Sequence, residues 1–226
     1  MSEQEAGLRS IAGQIRSRLL VNALIDPDEA ATVLPPGLRP HVIDGATVAG
    51  CCLLELEHVR PSWAPSAVGV SIRAAAHRIS VAWDDADGPH IGVYVPVRHT
   101  DSRIAVVAGG RLFPGVHRRA NIDLAQSDGS IRWSVHVPAA AGFGLRVVAA
   151  DRGSPTSDRD AVGHACIDAT LGLSPGHDGA LQCVEMSPAH RLARPVDVES
   201  LDSEFLVSFA SATPAPPYLM TEIDVS

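Results

Sequence analysis

The sequence predicts an α+β domain that is mainly β. Three observations carry that expectation: apolar residues recurring at every second position, turn residues between those runs, and only two short stretches with helix-start chemistry. Ile79, Val81 and Trp83 alternate with small or polar residues, and after Asp84-Asp85-Ala86-Asp87-Gly88 the residues Ile91, Val93, Val95 and Val97 do the same. Runs of this kind on either side of a turn make a β-hairpin, and closely spaced strands build a barrel or a sandwich.

In chain order, residues 1–15 read as a polar N-terminal arm and residues 18–25 as a short apolar run. Asp26-Pro27-Asp28-Glu29 supplies a helix start: Asp26 can cap free amides, Pro27 suits the first helical position, and Glu29 stands where a capping box places a carboxylate. That helix ends by Leu34, because Pro35-Pro36-Gly37 cannot continue it. The nearly continuous apolar stretch 47–56 reads as a strand buried on both faces. Residues 103–108 read as a further short strand, and Asp128-Gly129 joins strands at 120–124 and 131–137, with Ile131, Trp133, Val135 and Val137 on one face. A second helix is expected within 154–173, started by Ser157 and Asp160, carried by Ala161, Val162, Ala165, Cys166 and Ala169, and ended by Gly172. Strands follow at 179–185 and at 204–211, the latter with Phe205, Val207 and Phe209 on one face. Thr213-Pro214-Ala215-Pro216-Pro217 is linker-like but lies too near the end to divide domains, so 1–226 reads as a single domain.

Composition narrows the chemistry. The 18 lysines plus arginines are all arginine, so the chain contains no lysine and cannot form a lysine Schiff base. The net charge of −8 lacks the basic field that nucleic acid requires, and Arg118-Arg119 is too short a cluster to replace it. No apolar run is long enough to cross a bilayer and the first nine residues are polar, which reads as a cytoplasmic chain without membrane attachment. Cys51, Cys52, Cys166 and Cys183 form no C-x-x-C pair and suit reduced thiols. His164, Cys166, His177 and Cys183 match no zinc spacing, and residues two apart on a helix do not share a face, so no metal is expected. There is no G-x-S-x-G elbow, and Gly142-Phe143-Gly144 lacks the third glycine of a dinucleotide fingerprint, so no cofactor is expected either.

The stretch Gly110-Arg111-Leu112-Phe113-Pro114-Gly115-Val116-His117-Arg118-Arg119 resembles the signature of the acetoacetate decarboxylase superfamily, where Gly-Arg-Glu is followed by Gly, an aromatic, Pro, Lys and Lys. Gly110, Arg111 and Gly115 hold the pattern, and Asp26-Pro27-Asp28-Glu29 with Leu34-Pro35-Pro36-Gly37-Leu38 resembles that superfamily's early helix and Leu/Val-Pro turn. The likeness covers roughly the first two thirds of the chain and lies nearer the uncharacterised, decarboxylase-like branch. It implies a curved, barrel-like antiparallel sheet with a central pocket, plus two or more short helices.

Carried over by position, the Schiff-base lysine falls at Arg118 and the second lysine at Arg119, while the motif's acidic residue falls at Leu112 and its proline at His117. The catalytic glutamate falls at Ser71 or Ile72, and an arginine that meets substrate carboxylate corresponds to Arg16 or to Arg18. A guanidinium is no substitute for an amine nucleophile, but its planar fork holds a carboxylate bidentately. Arg118, Arg119 and Arg16 are therefore the candidate substrate-binding cations, each weighed against an ordinary solvated arginine. Glu55 and Glu57 share a strand face and make Glu55 a candidate pocket carboxylate, against a solvated strand end. His117 is the candidate general acid or base, against a hydrogen-bonded structural histidine. His77, Tyr94, Arg98 and His99 are placed to line an interior or to face water. The expected function is binding of a small organic acid in an arginine-lined pocket, or its transformation by lysine-free acid–base chemistry such as hydration or isomerisation. The alternative is a non-catalytic structural or ligand-sensing module. A homodimer is compatible with either.

Overall fold

The structure is a computed structural model that describes residues 11–110, 115–127, 129–137, 144–151, 153–158, 160–186, 188–189 and 191–225. Leu112, the motif segment 111–114 and Asp128 lie outside the described residues.

The first long strand, β1 (Ile11–Ile25), starts well before the apolar run that marks it in the sequence. Asp26 ends it and caps α1 (Pro27–Val33), its carboxylate accepting from the Asp28 amide at 2.7 Å. Glu29 does not close a capping box. Its carboxylate instead accepts from the Ala210 amide at 3.0 Å, the Ser211 amide at 3.1 Å and the Ser211 hydroxyl, tying α1 to a loop about 180 residues away in sequence.

Those bonds, the Ser211 hydroxyl foremost, hold the Glu29 carboxyl below its ordinary range. A depressed carboxylate pKa contributes stability that is present above the ordinary value of about 4.3 and is lost as pH falls through the folded value. Glu29→Ala is expected to lower the protection of the Ala210 and Ser211 amides, taken relative to their intrinsic exchange rates, near neutral pH; in the parent that protection is lost as pH falls through the lowered Glu29 value, and in the variant it has no such dependence.

β2 (Arg39–Pro40) pairs with residues Val81 and Ala82, and β3 (Val42–Ile43) with Ala46 and Thr47, as short added pieces. β4 (Ala46–Pro61) is buried continuously over residues 47–53, as its unbroken apolar run demands. β5 (Val70–Asp85) and β6 (Gly88–Thr100) form the expected hairpin, Asp85 facing Gly88 across the two-residue turn Ala86-Asp87, with Gly88 at φ 117° just after it. Residues 103–108 are helical, not extended. Ser102 caps α2 (Arg103–Ala108) by accepting from the Ala105 amide at 3.2 Å, and the cap outweighs the β preference of Ile104, Val106 and Val107.

β7 (His117–Arg119) runs parallel to β6. β8 (Asn121–Ser127), β9 (Ser130–His136) and β10 (Leu145–Asp151) form an antiparallel meander. α3 (Ala161–Ile167), capped by Asp160, is shorter than its sequence signal, and Gly172 lies inside β11 (Leu171–Pro175), not at a helix end. β12 (Leu181–Glu185) and β13 (Arg194–Ser203) follow. The expected strand at 204–211 is instead α4 (Glu204–Val207), because the Ser203 hydroxyl caps the Leu206 amide; Phe205 and Phe209 are still buried, while Val207 is 76% exposed. The linker-like proline stretch opens β14 (Thr213–Val225). The Asn22 side chain donates to the Pro216 carbonyl at 2.7 Å, beside the register slip between Leu20 and Asn22.

The strands follow the order β12-β11-β6-β5-β4-β1-β14-β13-β10-β9-β8, a curved sheet whose two ends do not pair, so the barrel-like expectation is met by an open path and not by a closed barrel. β8, β9, β10 and β13 fold over β1, β4 and β5, and Leu19, Val21, Leu53, Ile79, Trp133, Val147 and Phe205 fill the space between them. α3 covers the other face of β1, β4, β5 and β14, where Leu20, Cys52, Cys166, Ile167 and Met220 pack.

Candidate functional site

Period-two alternation sends Ser17, Leu19 and Val21 toward the inter-sheet space. The row that ends this face is polar: Thr221 on β14, Ser17 on β1, Glu55 on β4 and Arg73 on β5 are successive register partners. The β8–β9 turn does not close over that row, and a cleft of about 540 Å³ remains, lined by Arg16, Ser17, Glu55, Asp151, Arg194 and Thr221 among others.

Two of the residues singled out in the sequence, Arg16 and Glu55, therefore meet in one cleft. Arg16 sits where the β1–β4 register slips between Ile15 and Ser17. Its guanidinium lies 3.3 Å from Glu222 and 3.7 Å from Glu57, with 47% of the side chain exposed. Pairs this exposed are weak and readily exchanged for a ligand's carboxylate. Glu55 is held by Arg73 at 3.3 Å. Across the cleft Arg194 pairs with Asp151 at 2.9 Å and donates to the Thr221 hydroxyl at 3.2 Å. The Ser17 hydroxyl is buried, at 3% residue exposure, and has no hydrogen-bond partner among the described residues, a cost that a bound polar group would relieve.

The strand β7 separates residues that are adjacent in the motif. Arg118 registers with His99, whereas His117 and Arg119 register with Arg98 and Thr100, so alternation puts Arg118 on one side and its two neighbours on the other. Arg118 and Arg119 are both exposed and do not converge on one ligand. Beside Arg118, His99 is buried, and burial followed by the Arg118 charge lowers its pKa to about 4. His99 meets His77 edge to face at 6.0 Å, and His77 Nδ1 lies 3.3 Å from Cys51 Sγ. Burial pushes the Cys51 thiol up to about 12, so sulfur keeps its proton, and the His77 tautomer sets which of the two donates. Both buried histidines come from the set that the sequence left open between lining an interior and facing water.

On the opposite side, burial and then the Arg98 charge lower His117 to about 4, and its Nδ1 lies 3.1 Å from the Gly115 carbonyl. A neutral imidazole of this kind can accept a proton but has none to give as an imidazolium near neutral pH. His117 is thereby removed from the cleft that holds Arg16 and Glu55. Arg18, the alternative to Arg16, is buried at 5% exposure on the sheet's far face against Cys52.

Ser17, Arg73, Asp151, Arg194 and Thr221 were not singled out in the sequence. Ser17 alone carried a signal, a hydroxyl in step with the apolar residues Leu19 and Val21. Arg73 joins through its register with Glu55, and Asp151, Arg194 and Thr221 through the strand order β1-β14-β13-β10. Among the described residues no three His, Cys, Asp or Glu side chains group as metal ligands, and no helix is long and apolar enough to cross a membrane.

No protein-family model and no curated protein matches the sequence. Solved structures do match in fold. Acetoacetate decarboxylase from Legionella pneumophila aligns with a TM-score of 0.63 at 10% identity, over 95% of this chain and 83% of its own. The enduracididine biosynthesis enzyme MppR, solved with the condensation product of pyruvate and imidazole 4-carboxaldehyde, aligns with a TM-score of 0.64 at 13% identity, over 95% of this chain and 85% of its own. An acetoacetate decarboxylase-like enzyme from Sphingomonas wittichii aligns with a TM-score of 0.63 at 17% identity, over 96% of this chain and 89% of its own. The likeness spans nearly the whole chain, including the last third, where the sequence motif gave no purchase.

Proposed function

We propose that this chain, which has the acetoacetate decarboxylase-like fold, binds a small organic acid in the cleft between its two sheet layers and handles it without amine catalysis. The observation that carries this reading is the convergence of Arg16, Glu55 and the unpartnered Ser17 hydroxyl on one cleft. Arg16 exchanges its exposed acidic partners for the ligand's carboxylate, and Ser17 donates a hydrogen bond to it. Glu55, fixed by Arg73, is the group positioned to exchange a proton with the ligand, which suits hydration or isomerisation. The arginine at position 118 offers no nucleophile to a ketone, so decarboxylation through an imine at that position is chemically closed. Arg118 adds positive potential on the same face beside His99, and Arg119 adds it outside. Ligand size follows from the cleft volume, which accommodates a molecule of pyruvate dimensions with water to spare; MppR, with the same fold, has been solved with pyruvate.

The test is a thermal-shift series of small 2-oxo acids, hydroxy acids and their neutral amides on the parent, Arg16→Ala and Arg118→Ala proteins. Acids should stabilise the parent and amides should not. Arg16→Ala should weaken binding about 10- to 100-fold, the worth of a charge-assisted hydrogen bond, and Arg118→Ala by less. Equal stabilisation by acid and amide would remove the basis of the proposal, and no stabilisation by any compound would favour the structural module.

A further inference from the structure

The neighbouring strands β1 and β14 change phase at the same level. Ile15 and Leu19 are four residues apart on β1 and would share a face in a regular strand, yet Leu19 packs between the sheet layers and Ile15 on the sheet's other face. Leu219 and Ile223 on β14 part in the same way. Between them the register passes from Ile15 with Ile223 to Ser17 with Thr221, leaving Arg16 and Glu222 as the intervening residues. Against β4 the same step runs from Leu56 to Glu55, so Arg16 is an extra residue there. Glu222 takes φ 54°, in the left-handed region that a glutamate seldom adopts. Irregularities of this kind re-aim side chains. Here they bring Arg16 Nη1 and Glu222 Oε1 to 3.3 Å in the lining of the cleft.

Among the described residues that line the cleft, two are cations, Arg16 and Arg194, and three are carboxylates, Glu55, Asp151 and Glu222. Arg194 is engaged by Asp151 at 2.9 Å and Glu55 by Arg73 at 3.3 Å. Arg16 is the more exposed of the two cations and the one that a ligand's carboxylate can take over. That carboxylate then stands beside Glu222, with Glu57 and Glu55 close by, and like charges at such range repel. A ligand that carries a cation next to its carboxylate turns this repulsion into attraction. An ammonium and a carboxylate borne on one carbon call for an anionic and a cationic side chain that are themselves adjacent, as Glu222 and Arg16 are. The buried Ser17 hydroxyl, without a hydrogen-bond partner among the described residues, lies in the same lining and can donate to the ligand's carboxylate. Leu219 and Ile131, both buried, supply an apolar part of the lining that suits a small side chain.

We propose that the acid this cleft selects is a zwitterion, an α-amino acid with a small side chain, whose carboxylate is taken by Arg16 and whose ammonium is taken by Glu222. The inference rests on the organic-acid reading of the same cleft and narrows it to one ligand class. Glu222 is the specificity-determining residue: a 2-oxo or 2-hydroxy acid of the same skeleton meets its charge with no cation and is held less tightly.

The experiment is calorimetric titration of the full chain with L-alanine, L-lactate and pyruvate, which share one carbon skeleton, for the parent, Glu222→Gln and Arg16→Ala proteins. The parent should bind L-alanine about 3- to 10-fold more tightly than L-lactate or pyruvate, between the worth of an exposed ion pair and that of a charge-assisted hydrogen bond. Glu222→Gln, a substitution of like shape at a side chain that is 55% exposed, should abolish that preference, weakening L-alanine while L-lactate binds as well as before or better. Arg16→Ala should weaken all three. A parent that binds the three acids equally, with the loss in Arg16→Ala intact, overturns the zwitterion proposal and leaves the organic-acid reading standing, whereas a parent that binds none of them overturns both. An undiminished preference for L-alanine in Glu222→Gln also overturns the proposal, because the ammonium is then held elsewhere.

Discussion

Replacing Trp133 by alanine is expected to lower stability by about 3–5 kcal/mol, the cost of deleting a fully buried large aromatic side chain. Trp133 is 0% exposed at the middle of β9, with Leu124 of β8 and Val147 of β10 as its register partners. It is the largest fully buried side chain among the described residues. For a chain of this length the loss corresponds to about 6–20 °C in the unfolding midpoint. The indole nitrogen is buried without a hydrogen-bond partner among the described residues, so Trp133→Phe keeps most of the volume, sheds an unsatisfied donor and should cost much less than the alanine variant. Denaturant unfolding of the two variants checks both statements.

Leu53→Ala on the facing layer is the second large effect, at about 2–5 kcal/mol. Leu53 is 0% exposed, flanked by Leu19 on β1 and by Ala75 on β5. Because Ala75 is itself small, the site cannot collapse from that side, which places the loss toward the upper end of the range. Ile91, on the same sheet but 53% exposed, is the control: Ile91→Ala should change stability by about 0.5 kcal/mol or less. Leu53 also stands two residues from Glu55 on the same face, so its truncation should loosen the floor of the cleft as well as the core.

The strands legible in the sequence are those whose burial is asymmetric or complete. The β5–β6 hairpin and the β8–β9 hairpin show alternation because one face is buried, and β4 shows an unbroken apolar run because both faces are. β13 left little trace since most of its side chains are exposed or half-buried, and β14 was masked by Pro214, Pro216 and Pro217, which lack the backbone donor a strand ladder uses. The segments at 103–108 and 204–207 carry β-branched or aromatic residues that argue for strand, but a serine immediately before each satisfies a free helix amide, and one hydrogen bond decides a single turn. Glu29 shows the reverse case: its position fits a local cap, yet its partners lie across the molecule at Ala210 and Ser211.

The site was legible in part for the same reason. Arg16 and Glu55 lie on adjacent strands early in the chain, within reach of motif and alternation. Asp151, Arg194 and Thr221 arrive from strands placed beside β1 by the path through β14 and β13, which no local pattern records. Arg118 and Arg119 look like a pair in sequence and are parted by the pleat of a three-residue strand that the apolar pattern could not reveal, because both side chains are exposed.

The most direct test of the organic-acid cleft is amide chemical-shift mapping of the chain titrated with pyruvate. The account predicts saturable shifts clustered at Ser17, Glu55, Ser130 and Thr221, absent with the neutral amide and strongly weakened in Arg16→Ala. Saturable shifts confined to β7 and its neighbours, or an undiminished response in Arg16→Ala, would contradict it.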